Sequence, residues 1–219
     1  MTRSTRLKVC CIQDEGEARV ALEHGASAVG LVAAMPSGPG PISEAQIALV
    51  ARFVGARAET FLLTALVEAA AIAEQHARCG TSTIQLVDHV EPRERAALRA
   101  LLPGVALVQV IHVTGPESVD EARAGAEHAD ALLLDSGNRE AVTKELGGTG
   151  RVHDWSVSRL VVESVRVPVW LAGGLRPQNV AEAVALVRPH GVDLCTGVRT
   201  DGRLDPTKLG AFVRALRGS

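Results

Sequence analysis

The chain has 219 residues, of which 47% are hydrophobic, 22% charged and only 2% aromatic, and its formal net charge is −2. That length suits one large domain with a sizeable core; so small a charge exerts no strong pull on nucleic acid or an anionic membrane, and so few aromatic faces make no platform for stacked bases. "MTRSTRLKVCCIQDEG" lacks the apolar region of a signal peptide, no stretch reaches the roughly 18 apolar residues of a membrane span, and the four cysteines form neither a disulfide framework nor a zinc spacing, so a reduced cytoplasmic protein is expected.

From the N-terminus onward, aliphatic runs alternate with Ala-rich segments. "LKVCCI" is followed by "EGEARVALEHG", "SAVGLVA" by "SEAQIALVARFVG", "ETFLLTAL" by "EAAAIAEQHARCG", and "TSTIQLV" by "PRERAALRALLPG". The second half repeats the rhythm: "VALVQVIHV" and "ESVDEARAGAEHA", "DALLLD" and "DWSVSRLVVESV", "VPVWLA" and "PQNVAEAVALVRPHG", "GVDLCTGV" and "DPTKLGAFVRALR". The second member of each pair carries apolar residues at helical spacing. Gly25, Gly80, Gly104 and Gly191 stand where helices are expected to end. The first members are continuous aliphatic runs, which predicts parallel strands buried on both faces. Eight βα units of about 27 residues predict a single-domain (β/α)8 TIM barrel over residues 1–219. A doubly wound sheet is the alternative; it would normally offer fewer strands, and no G-x-G-x-x-G follows the first one. The longest irregular stretch, "SGNREAVTKELGGTG", lies between the sixth strand and the sixth helix.

In such a barrel the active site lies at the C-terminal ends of the strands. The reactive or polar residues expected there are Cys10, Cys11, Gln13, Ser37, Asp88, His112, Asp135, Gly173, Gly174, Cys195 and Thr196. Neighbouring strand residues face opposite sides, so only one of Cys10 and Cys11 is expected to look into the barrel. A metal set of Cys10, Cys195, His112 and Asp135 is conceivable at the mouth, but no closely spaced ligand pair anchors it. No metal is expected. His24, His76, His128 and His190 fall at helix ends and read as structural.

Three stretches together resemble the phosphoribosylanthranilate isomerase family: "LKVCCI", "ADALLLDS" with "GGTGRVHDW", and "VWLAGGLRPQNV" with "GVDLCTGVRTDGRLDPTKLGAFV". The resemblance implies a (β/α)8 fold and a cofactor-free aldose–ketose isomerisation in tryptophan biosynthesis, the Amadori rearrangement of N-(5-phosphoribosyl)anthranilate. It implies Cys10 as general base and Asp135 as general acid. The residue types suit those roles, since a tuned thiol can titrate near neutral pH and a carboxyl at the end of "ALLLD" sits in apolar surroundings that favour its protonated form. Backbone N–H groups of Gly173, Gly174, Gly197 and Val198 are expected to hold the phosphate. His112, Asp88, Arg151 and Arg199 are possible substrate contacts. The expected partner is a small phosphorylated sugar, with no nucleic acid and no membrane, and the enzyme is expected to be a monomer or homodimer.

The chain departs from the family pattern on one side of the site. Cys11 replaces a Gly, Gly40 in "MPSGPGPIS" stands where an Arg aligns, Val87 and Asp88 replace a His and a Gly, and Arg199 replaces an acidic residue. Two alternatives therefore stand beside the isomerase: the same acid–base pair acting on a different phosphoribosyl-type substrate, or a non-catalytic barrel that binds a phosphometabolite.

Overall fold

The computed structural model describes residues 5–137 and 153–218. Eight parallel strands close into one barrel in sequence order: β1 (Arg6–Val9), β2 (Ala28–Val32), β3 (Glu59–Thr64), β4 (Thr83–Leu86), β5 (Ala106–His112), β6 (Ala131–Asp135), β7 (Val169–Leu171) and β8 (Gly191–Leu194). The barrel closes where β8 pairs with β1, Lys8 opposite Asp193 and Val9 opposite Leu194. Helices α1 (Glu15–Glu23), α2 (Glu44–Val54), α3 (Ala69–Cys79), α4 (Pro92–Leu101), α5 (Ser118–Ala126), α6 (Trp155–Ser164), α7 (Val180–Val187) and α8 (Pro206–Arg217) follow their strands. This is the TIM barrel that the alternating pattern predicts.

Several helices start on the caps their sequences offer. Asp14, Ser43, Asp154 and Asp205 each accept a hydrogen bond from a backbone N–H of the first turn, satisfying donors that have no partner within the helix. The expected helix ends are met unevenly. Gly80 caps α3 in the left-handed conformation, as a residue without a Cβ can. Gly191 does not end α7; the left-handed cap there is Arg188. Gly191 is the first residue of β8, where a Cβ would collide with the Trp170 ring. Two short strands, β9 (Arg199–Thr200) and β10 (Arg203–Leu204), make a hairpin between β8 and α8.

The helix-facing side of the strands and the inner faces of the helices form the larger apolar core, with Ile12, Leu31, Leu132 and Phe212 buried in it. Phe61, Val108, Val110, Leu133 and Trp170 belong to a separate cluster, inside the barrel. Phe61 and Trp170 meet edge to face at 5.9 Å in the lower barrel, and the Arg6 guanidinium lies 5.3 Å from the Trp170 ring centre. That end is filled, so the free space lies at the other rim.

Candidate active site

The first strand ends at Val9, one residue before the cysteine pair. Cys10 keeps the inward direction of Lys8, two residues earlier. Its side chain has room because Gly30 on β2 has none: a Cβ there would lie 2.6 Å from the Cys10 sulfur. Cys11 then turns into the left-handed region with φ 62°. That turn breaks the strand alternation, so both cysteines line the same cavity, and the expectation that only one of them faces it is corrected.

Cys11 is joined to Cys195 by a disulfide, with 184 residues between them in the chain and 6.0 Å between their Cα atoms. The expectation of an all-thiol protein is thereby overturned. Closure of β1 against β8 brings the two residues together, and no spacing rule along the chain could show it. Cys10 and Cys79 are free and buried.

The cavity measures about 730 Å3 with its open mouth included. Val32, Met35, Leu63, Val87, Val110 and Ala172 supply apolar wall; Ser37, Gly38 and Pro39, from the loop after β2, cover one side. Cys10 and Asp135 both line it, one from β1 and the other from β6. Asp135 accepts a 2.7 Å hydrogen bond from the backbone N–H of Ser136. Gly173, Gly174, Thr196 and Gly197 line the rim above β7 and β8. Gly173 and Gly174 hold φ of 83° and 63°, the left-handed region that favours glycine. At Gly197 a Cβ would lie 2.5 Å from the Leu175 carbonyl, so the two rim loops touch only because this residue is bare. Val198 is different: its side chain is fully buried in the outer core and does not line the cavity.

Beneath Cys10 lies an ion pair. Lys8 Nζ donates to Asp193 Oδ2 at 2.7 Å, with the lysine side chain wholly buried. Burial is the largest influence on Cys10 and pushes its thiol up to about 11; Lys8 opposes the rise and Asp193 adds to it. Burial thus opposes ionisation of this thiol, and the Lys8 ammonium favours it.

A family model described as "N-(5'phosphoribosyl)anthranilate (PRA) isomerase" matches residues 9–215. The chain belongs to this family. As a phosphoribosylanthranilate isomerase family member it is an isomerase of the aldose–ketose class. Curated relatives named N-(5'-phosphoribosyl)anthranilate isomerase include one from Methanothrix thermoacetophila, 35% identical over 97% of this chain and 98% of its own length. Another, from Haloferax volcanii, is 37% identical over 97% of this chain and 93% of its own. The solved phosphoribosylanthranilate isomerase of Pyrococcus furiosus superposes with a TM-score of 0.81 at 26% identity, covering 98% of this chain and all (100%) of the other. That of Thermus thermophilus gives 0.83 at 24% identity, over 98% and 99% of the two chains, and shares the fold.

Structure explains two departures from the phosphoribosylanthranilate isomerase pattern together. Cys11 occupies a left-handed position, which accounts for the usual Gly. Gly40 is also left-handed, φ 81°, and a Cβ there would lie 2.6 Å from the Cβ of Cys11. A side chain at 40 would therefore meet that of Cys11, and one of the two would have to shift. Arg199 is not a cavity cation. Its guanidinium is nearly buried and ion-paired with Glu17 at 3.0 Å, and it donates to the carbonyls of Cys10 and Cys11. It ties the β9–β10 hairpin to α1 and the first loop.

His112 is buried, its Nε2 3.1 Å from the Val87 carbonyl, and does not line the cavity. Asp88 accepts from the N–H of His89 at 2.8 Å and likewise lies off the lining. Arg151 lies outside the described residues. Sequence reasoning passed over Lys8, Asp193 and Gln85, although counting by twos back from Cys10 or Cys195 reaches the first two. It also left His153 unplaced. The His153 ring comes within 2.9 Å of where a Gly173 Cβ would stand, and burial holds it neutral, its pKa lowered to about 4.

Proposed function

We propose that the protein isomerises N-(5-phosphoribosyl)anthranilate to the corresponding 1-amino-1-deoxyribulose phosphate, with Asp135 as acid and Cys10 as base. The observation that carries the reading is that Cys10 and Asp135 open on one cavity that Gly173, Gly174 and Gly197 also line. Asp135 gives its proton to the furanose ring oxygen; the C1–O bond breaks and the nitrogen lone pair forms the iminium. The Cys10 thiolate takes the proton from C2, and the C–H electrons become the enolamine double bond, neutralising the iminium. Protonation at C1, with loss of the C2 hydroxyl proton, yields the ketone. No redox change and no cofactor enters this scheme. Gly173, Gly174 and Gly197 offer close backbone approach to a phosphate. On this reading the enzyme is cytoplasmic.

Turnover of the authentic substrate tests the proposal, together with rescue of a tryptophan auxotroph lacking this step. Rescue with parallel loss in Cys10→Ala and Asp135→Asn is expected. One observation favours a second reading, in which the same pair acts on another phosphoribosyl adduct: among the described residues lining the cavity, none is Arg, Lys or His. An anthranilate carboxylate thus lacks a described cation there. A folded protein that fails to rescue, yet turns over a different N-riboside phosphate, would select it.

A further inference from the structure

We propose that Lys8 is a positioning residue for the reaction: its ammonium is the counter-charge beside which the Cys10 thiolate forms, and Asp193 holds it there. This rests on Cys10 being the base and deepens that reading.

Alternation on β1 aims Lys8 and Cys10 into the same space, and the β1–β8 register sets Asp193 opposite Lys8. Lys8 has no exposed surface; its Nζ lies 2.7 Å from Asp193 and 5.0 Å from the centre of the Phe61 ring, and its charge favours ionisation of Cys10. Packing alone does not call for this pair. Each buried ion costs several kcal/mol of desolvation, and well-packed apolar side chains commonly serve stability as well or better. Phe61, Leu133 and Trp170 belong to the apolar cluster inside the same barrel. What a buried lysine supplies that an apolar residue cannot is a fixed positive charge where a thiol must lose its proton in a dry site.

The other charges facing Cys10 do not replace it. Arg199 reaches its carbonyl at 3.3 Å but is paired with Glu17. Asp135, on β6, shares the cavity and is a proton donor in the mechanism. Asp193 opposes ionisation of Cys10, as a neighbouring carboxylate must. Lys8 and Asp193 therefore act on Cys10 with opposite signs, and that separates charge tuning from mere support.

The test is the pH dependence of Cys10 alkylation by iodoacetamide, located by peptide mass spectrometry, alongside kcat and KM for phosphoribosylanthranilate. In the unaltered protein, Cys10 labelling should rise with pH toward a midpoint of about 11. In Lys8→Met the labelling rate at a fixed pH should drop roughly tenfold or more, as for a pKa raised by about one unit. Its kcat should fall at least tenfold with a smaller change in KM, and Lys8→Arg should restore part of both. Asp193→Asn should move the labelling midpoint down. Unchanged labelling in Lys8→Met, or shifts of the same sign in Lys8→Met and Asp193→Asn, overturns the proposal. If Lys8→Met does not fold, Asp193→Asn decides it: a midpoint that stays or rises is the overturning result. Labelling does not need turnover, so opposite shifts with a fully active Cys10→Ala would refute the base assignment and leave the electrostatic pairing standing.

Discussion

At the N-terminal end of the barrel the interior is closed: Trp170 packs edge-on against Phe61 at 5.9 Å and His190 at 5.4 Å, and Arg6 covers the indole while pairing with Glu59. At the C-terminal end the strands give way to residues with no side chain or an unusual backbone, including Gly40, Gly173, Gly174 and Gly197 together with left-handed Cys11. The same eight strands feed both ends. Large rings plug one and glycines keep the other open, with the Lys8–Asp193 pair lying between Phe61 and Cys10. Ring packing and the open cavity are thereby placed at opposite ends of one scaffold; barrel enzymes generally keep chemistry at the C-terminal end.

Substitutions at the two ends should therefore fail in different ways. Cys10→Ala and Asp135→Asn should each lower kcat about 10²- to 10⁴-fold or more while leaving the thermal midpoint nearly unmoved; full turnover in both would remove the roles assigned here. Trp170→Ala should cost about 3–5 kcal/mol in urea unfolding, since it empties a packed interior, yet keep turnover per folded molecule. Loss of activity ahead of unfolding in that variant would show that the two ends are not independent. Opening the Cys11–Cys195 bond, by reductant or Cys195→Ser, should cost about 2–4 kcal/mol, because the bond closes a long loop in the unfolded chain; a denaturant midpoint insensitive to reductant would count against it. Gly40→Ala should cost about 1–3 kcal/mol from backbone strain and contact with Cys11, and adding Cys11→Gly should return part of that, a coupling that a double-mutant cycle measures. Smallest is Arg6→Ala as a test of the Glu59 pair: both partners are partly exposed, so the ion-pair contribution in a double-mutant cycle should be under about 1 kcal/mol.

Much of the fold was legible because continuous aliphatic runs alternate with segments of helical spacing from "LKVCCI" to "GAFVRALR". Asp135 and the paired glycines stand at the C-terminal ends of clear strands, so barrel geometry alone placed them at the mouth. Arg199 and His112 look the same in sequence as substrate contacts, but their partners, Glu17 on α1 and the Val87 carbonyl after β4, are supplied by other units of the barrel. Lys8 was visible as a charge inside an aliphatic run. Its meaning depends on Asp193, nearly the whole chain length away.

The sequence by itself determined the architecture and the rim on which Cys10 and Asp135 stand, because those follow from local periodicity and from where each strand ends; the acid and base roles came from the family resemblance. Only the tertiary structure decided that Cys11 meets Cys195, that a Cβ at Gly40 would meet that of Cys11, and that Lys8 stands under Cys10 against Asp193. These are contacts between β1 and its neighbours around the closed barrel. Closure joins the first strand to the last, and no pattern read along the chain contains that distance.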